Sequence, residues 1–279
     1  MISCKEYVAI KKEELKEKVK SFDRAPKLCV VQIGDNPASN TYVKGKARDS
    51  EEIGIEFEHV HIKNYEDLSQ CDLVLTLENL NNDDSIDGII VQLPIPDKYN
   101  VEELQNCISP DKDVDGFRRD SCFEPCTPKG IMDWLKFNNY DFVGKDAVVL
   151  GRSKIVGKPL VNMLIEEGAT VTCCNSKTSV FSRLNHLRRA NLVISAVGKP
   201  KFLDYASFLT VNSSDLEVVV DVGINRDENG KLCGDIDPEH FDTKLPNAYL
   251  TPVPGSVGLC TRIALMQNVV EAYELHTKG

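Results

Sequence analysis

Ser39, Tyr42 and Lys46 stand at i, i+3 and i+7 of one segment. A helix there puts all three on one face. Tyr-x-x-x-Lys sets a phenol and an ammonium one turn apart. The phenol can lower the cost of moving a proton, and a partly buried lysine can lose its own near neutral pH. The same spacing also fits a surface lysine snorkelling beside an aromatic. Lys44 and Arg48 fall on other faces and read as solvated charge. Gln92 ends the apolar run Asp87-Gly-Ile-Ile-Val-Gln-Leu-Pro94. An amide at the carboxyl end of a strand points where ligands bind in open α/β sheets, or it caps a loop. Lys112-Asp-Val-Asp-Gly116 places Asp113 and Asp115 on one side of an extended segment. A carboxylate can accept two hydrogen bonds from an amidine-like edge, such as that of a pterin. Asp before Gly is also an ordinary turn. A metal reading lacks further oxygen ligands.

A second kind of chemistry lies at Gly151-Arg-Ser-Lys-Ile-Val-Gly157, directly after the apolar run Asp146-Ala-Val-Val-Leu150. Strand, glycine loop and helix start make a site for a dinucleotide pyrophosphate, because backbone N–H groups converge there. Gly151, Arg152, Ser153, Val156 and Gly157 are the candidates. The spacing departs from G-x-G-x-x-G, so a plain turn in an α/β domain is the alternative. The next apolar, β-branched run, Ala169–Cys174, ends in Asn175-Ser-Lys-Thr178 without a carboxylate. A site that prefers NAD usually holds the ribose 2′-hydroxyl with Asp or Glu at this point. Hydroxyls of Ser176 and Thr178 with Arg152 suit a 2′-phosphate instead. NADP is therefore expected over NAD.

These residues need elements to carry them. A solvent-facing helix is expected over 5–22 and a buried strand over Lys27–Ile33. The turn Gly34-Asp-Asn-Pro37 leads into a helix that ends at Gly54, a good C-cap. Ile55–Ile62 alternates as a strand does, with His59 and His61 on one face; with no third ligand in view they read as surface positions. A helix over Cys71–Asn81, a strand over Ile86–Leu93 and a short helix over Val101–Ile108 follow, then a polar loop to Asp120. Pro128–Phe137 reads as a linking helix. Further strands are expected at Asn191–Ala196 and Val218–Val222, and a last helix at Ile263–Leu275. Strands alternating with helices imply parallel sheets joined by right-handed crossovers. The expectation is an α/β protein of two domains. Residues 1–120 with 252–279 would form a catalytic domain, and 121–251 a Rossmann-type nucleotide domain, with a cleft between them. Pro94 and Pro254 sit in rigid loops where Leu93-Pro94 or Val253-Pro254 could be cis.

Composition narrows the class. The chain has 279 residues, 42% hydrophobic and 27% charged, in the ordinary soluble range. The net charge of −10 argues against nucleic acid as a partner. No apolar run approaches a membrane span, and the N-terminal residues lack a signal pattern; a cytoplasmic protein is expected. The ten cysteines are scattered without metal spacing and read as free thiols.

Seven segments, in order along nearly the whole chain, resemble the bifunctional methylenetetrahydrofolate dehydrogenase/cyclohydrolase family. They are Ala38–Lys46, Asp87–Pro94, Lys112–Gly116, Pro125-Cys-Thr-Pro-Lys-Gly130, Gly151–Pro159, Asp221-Val-Gly-Ile-Asn225 and Thr251-Pro-Val-Pro-Gly-Ser-Val-Gly258. The resemblance implies oxidation of 5,10-methylenetetrahydrofolate by NADP, then hydrolysis of the methenyl product to 10-formyltetrahydrofolate, in a homodimer. It makes Lys46 the catalytic lysine, chiefly for hydrolysis, and Gln92 its tuning partner. Tyr42 packs on the folate ring, Asp115 anchors the pterin edge, and Ser39, Pro254 and Gly255 border the folate. Arg152, Ser153 and Ser176 match cofactor phosphate contacts; Ile224 and Thr261 match the nicotinamide side.

Two departures stand out. Family members commonly read Pro-Gly-Gly-Val-Gly-Pro-Met-Thr where this chain reads Pro254-Gly-Ser-Val-Gly-Leu-Cys-Thr261. Ser256 is expected to restrict a position where Gly allowed positive φ, and Leu259 to loosen the loop. Asn175 stands where His is common. A short-chain dehydrogenase would also pair Tyr-x-x-x-Lys with a glycine loop, but in the reverse order. A nucleotide-sensing module without turnover is the non-enzymatic alternative, against which Tyr42, Lys46, Gln92 and Asp115 argue.

Overall fold

The computed structural model describes residues 1–209, 211–212, 214–239 and 241–278. The chain divides into two compact units. One comprises Ala9–Cys126 and Arg262–Gly279, the other Met1–Val8 and Thr127–Thr261.

In the first unit the elements run α1 (Cys4–Val19, its first residues belonging to the other unit), β1 (Lys27–Ile33), α2 (Pro37–Ile53), β2 (Glu56–Ile62), α3 (Gln70–Asn81), β3 (Gly88–Gln92) and α4 (Val101–Cys107). The three strands are parallel in the order β2-β1-β3. Cys29, Val31, Ile33, Ile89 and Val91 pack with Leu73 and Leu77 of α3 and Leu104 of α4. Side chains alternate across a strand, so Gln32 and Gln92 point to the opposite face. They are also register partners. An amide pair thus marks the carboxyl ends of the two strands where the chain order reverses, which is where open α/β sheets bind ligands.

Helix α2 begins and ends as its sequence directs. Asn36 accepts from the N–H groups of Ala38 and Ser39, Pro37 follows it, and Gly54 closes the helix at φ +95. An asparagine cap with proline after it starts a helix because the side-chain oxygen accepts from orphan N–H groups of the first turn, while proline has none to satisfy and presets φ. His59 is exposed and His61 half-buried, as expected, but both are engaged. Their rings stack 4.9 Å apart, and their Nε2 atoms meet Gln32 Oε1 at 3.1 Å and the Gly34 carbonyl at 2.9 Å. They close a polar chain with Asn40, whose Oδ1 accepts from Gln32 at 2.7 Å.

The second unit contains α5 (Cys126–Phe137), β4 (Asp146–Leu150), α6 (Gly157–Glu166), β5 (Thr170–Cys174), α7 (Val180–Leu187), β6 (Leu192–Ser195), α8 (Tyr205–Phe208), β7 (Val218–Asp221), the hairpin β8 (Asn225–Arg226) and β9 (Leu232–Cys233), α9 (Phe241–Lys244) and β10 (Tyr249–Leu250). Cys126 itself belongs to the first unit. Five strands form a parallel sheet in the order β10-β7-β6-β4-β5. Counted within the unit this is 2-1-3-4-5, a doubly wound sheet whose switch point falls between β4 and β6. Val148, Leu150, Val193 and Val219 pack with Leu187, Leu203 and Phe208 in its core.

The last helix, α10, spans Val257–Thr277, six residues earlier than its apolar pattern suggested. Ser256 explains the early start. It is not at positive φ; that position is Gly255, at φ +108. The Ser256 hydroxyl donates to the Pro252 carbonyl at 2.6 Å, and the Ser256 carbonyl receives Leu259 N–H. The loop is therefore held rather than strained, and Leu259 is helical. Leu93-Pro94 and Val253-Pro254 are both cis. The ten cysteines are free, and no described helix is long and apolar enough to cross a membrane.

Candidate active site

In the first unit, α2 brings Lys46 over the end of β3, where Nζ donates to Gln92 Oε1 at 3.0 Å. Gln92 Nε2 donates to the Leu93 carbonyl at 2.7 Å, and Ser39 Oγ reaches the same carbonyl at 3.2 Å. Ser39 therefore ties α2 to the strand end, and Gln92 is oriented at both of its polar atoms. Tyr42, one turn before Lys46, stays 38% exposed. Burial lowers the proton affinity of Lys46, while Asp115 and Cys126 oppose that shift. Burial likewise raises Asp115, against the pull of Lys46 and a hydrogen bond from the Cys126 thiol. Burial thus lowers the lysine and raises the carboxyl, and each opposes the shift of the other.

Asp113 and Asp115 have separate roles. Asp113 is buried and accepts from Arg118 N–H at 2.9 Å, so it shapes the loop; burial raises it to about 6. Gly116, at φ +70, packs so tightly on Phe123, Glu124 and Pro125 that no side chain fits. Asn268 of α10 closes the back of the site. Fully buried, it donates to the Val114 carbonyl at 2.9 Å, the Glu124 carbonyl at 3.0 Å and Cys126 Sγ at 3.7 Å. Neither Cys126 nor Asn268 stands out in the sequence. A thiol and an amide carry no spacing signal; only the Pro125–Gly130 motif pointed near Cys126.

In the second unit, the loop after β4 sits at the switch point. Gly151 is at φ +113, and a Cβ there would run into the Ala196 carbonyl. A Cβ at Gly157 would strike the Gly151 carbonyl and the Arg152 Cα. Both glycines are thus demanded by close backbone approach, the geometry of a pyrophosphate cradle. Ser153 Oγ accepts from the N–H groups of Val156 and Gly157, at 3.2 and 3.3 Å. Arg152 is exposed, and its charge reaches Cys173 of β5. The turn after β5 is organised by Asn175, whose N–H donates to Thr178 Oγ1 at 3.0 Å and whose Oδ1 accepts from Lys177 N–H at 2.9 Å. Ser176 stands exposed at its tip. Ile224, half exposed, lies against Gly258 in the first turn of α10, and Thr261 Oγ1 meets Thr127 Oγ1 at 3.1 Å.

A carboxylate pair missed by spacing frames this edge. Asp235 accepts from the N–H groups of Val197, Gly198 and Lys199, from Ser195 Oγ and from Asn225 Nδ2. Asp221 accepts from Gly223, Asp235 and Ile236 N–H. Together they fasten the loops beyond β6 and β7.

Fold and cradle define a class: a two-unit α/β enzyme with a doubly wound nucleotide domain. Family profiles take it further. That described as the tetrahydrofolate dehydrogenase/cyclohydrolase catalytic domain matches residues 2–115, and that of its NAD(P)-binding domain residues 125–277. The bifunctional protein FolD of Bacillus mycoides is 42% identical over 285 residues, covering 98% of this chain and 96% of the relative. The FolD structure from Campylobacter jejuni is 41% identical at a TM-score of 0.87, over 98% of each chain. That of Trypanosoma brucei, solved with NADP and an inhibitor, is 27% identical at 0.86, over 100% of this chain and 98% of the other. The chain belongs to the tetrahydrofolate dehydrogenase/cyclohydrolase family and is a bifunctional enzyme of that family.

Proposed function

We propose that this chain oxidises 5,10-methylenetetrahydrofolate with NADP and hydrolyses the methenyl product to 10-formyltetrahydrofolate, with Lys46 handling the proton of the second step. The desolvated Lys46 held on Gln92, with Asp115 beside it, carries this reading. NADP, when bound, accepts the hydride. Oxidation needs little else, because the flanking nitrogen lone pairs stabilise the emerging cation and positioning suffices. Asp115 holds the pterin edge, Tyr42 lies on the ring, and Ser39, Pro254 and Gly255 border it. Gly151 and Gly157 leave room for the pyrophosphate, Ser153 donates to it, Arg152, Ser176 and Thr178 hold the 2′-phosphate, and Ile224 and Thr261 face the nicotinamide.

Hydrolysis requires more. Water adds to the methenyl carbon and must lose a proton as it does so. A neutral Lys46 amine keeps one N–H on Gln92 Oε1 and offers its lone pair to that proton. The ammonium then gives its proton to N5 as the carbon–N5 bond breaks, while the carbinol hydroxyl loses its proton to solvent and becomes the formyl carbonyl on N10. The reading includes a homodimer in the cytoplasm, on the family resemblance; sedimentation at micromolar concentration tests the first.

The test is to incubate the protein with 5,10-methylenetetrahydrofolate and either NADP or NAD, following reduced nicotinamide and the methenyl product separately. Reduced NADP without lasting methenyl product is expected. Methenyl accumulation would remove the second activity, and no reduction with either cofactor would sink the reading and favour the binding module.

A further inference from the structure

Gly45, between Tyr42 and Lys46 on α2, leaves a gap that is already filled. Arg262 of α10 lies in it: Nη1, Cζ and Cδ occupy the space where a side chain at position 45 would begin. Its Nε pairs with Asp49 Oδ2 at 3.0 Å, one turn further along the same face. Asp49 is almost wholly buried and shares its other oxygen with Lys12 Nζ at 2.6 Å. One carboxylate thus serves two cations, and Lys12 has Glu52 as a second partner. The guanidinium, its side chain 14% exposed, therefore sits in a crowded, poorly solvated place.

We propose that Arg262, lodged in the gap of Gly45 and tied to Asp49, is a positioning residue for the Tyr42–Lys46 face. Its fixed positive charge keeps Lys46 available as a proton acceptor. This rests on the reading of Lys46 given above. The groups that face Lys46 are Gln92 from β3, Asp115 from the loop after α4, Cys126 from α5 and Arg262 from α10. Asp115 and Cys126 stabilise the ammonium; burial and Arg262 oppose it. Burial raises Tyr42, and Arg262 opposes that shift. A like charge nearby disfavours a second cation, and an arginine, charged at every working pH, supplies that effect constantly.

The experiment follows hydrolysis of 5,10-methenyltetrahydrofolate across pH in the wild type, Arg262→Met, Arg262→Lys, Gly45→Ala and Lys46→Met, with melting temperature and NADP binding recorded for each. Arg262→Met is expected to move the acid limb to higher pH by about half a unit, roughly a threefold loss of rate on that limb. Arg262→Lys keeps the charge and restores the limb. Gly45→Ala improves helix propensity, yet its methyl group expels the guanidinium and moves the limb as Arg262→Met does. An unmoved limb in Arg262→Met overturns the proposal. So does an equal loss in both Arg262 variants at every pH, which marks a merely structural prop. Near wild-type hydrolysis by Lys46→Met instead sinks the underlying reading of the lysine.

Discussion

Lys46 Nζ donates to Gln92 Oε1 at 3.0 Å, joining a side chain from the middle of α2 to the last residue of β3. Forty-six positions separate the two, so the bond exists only because β3 pairs with β1 and α2 covers the face on which their amides lie. Desolvation of the lysine and orientation of its proton follow from that one crossing.

Replacing Lys46 by methionine keeps the bulk and removes the amine. Hydrolysis of the methenyl substrate is expected to fall by at least 100-fold, as for loss of a general base, while NADP reduction survives in part. Parallel assays of the two steps check this, and equal losses in both would contradict the division of labour. Gln92→Glu is expected to hold the ammonium through a charge-assisted bond and so lower hydrolysis near neutral pH.

Gly151→Ala places a methyl group against the Ala196 carbonyl at a φ that L-residues avoid. Strain of this sort costs on the order of 1–3 kcal/mol, and the cradle must widen to relieve it. NADP affinity, read by fluorescence titration, is expected to drop about tenfold or more. Unchanged binding would place the pyrophosphate elsewhere.

Arg152→Ala tests the choice between cofactors. A hydrogen bond to a charged group contributes about 1.5–3 kcal/mol. The variant should bind NADP at least tenfold more weakly and bind NAD as before. A matched loss for both would show that Arg152 holds the shared pyrophosphate instead.

Ser256→Gly removes the hydroxyl that ties the Pro252 carbonyl and adds backbone freedom at the start of α10. The expected cost is about 1–2 kcal/mol in stability, from one hydrogen bond and one flexible residue. A raised KM for the folate should accompany it, with kcat little changed. An improved KM would mean that Ser256 hinders the loop after all.

Asp221 offers a pH test. Burial raises it from 3.8 to about 6 despite three backbone N–H donors. Its folded value lies above its unfolded one, so its contribution is full below about pH 4 and is lost as pH rises through about 6. Relative to Asp221→Asn, the wild type should therefore lose stability across that window, by no more than about 3 kcal/mol. Urea midpoints at several pH values measure the difference, and a constant gap between the two proteins would refute it.

Much of this was legible in the chain itself. A period of two or of 3.6 marks which face of an element is apolar, and Asn36, Pro37 and Gly54 bound α2 by local rules alone. Gly151 and Gly157 could be read because a backbone that must approach another backbone tolerates little else. The face of Tyr42 and Lys46 follows from helical spacing. Tertiary structure decided the partners. Arg262 is 217 residues from Gly45, and Asp235 is 38 from Val197; nothing in local spacing joins them. His59 and His61 read correctly as surface positions, but their acceptors, Gln32 and the Gly34 carbonyl, lie on the neighbouring strand and the turn beyond it and could not be read from spacing. Ser256 read as strained because the positive φ belongs to its neighbour. Sequence specifies what each residue is able to do and which face it occupies; only packing selects which groups are desolvated together, and that selection sets the proton affinity of Lys46.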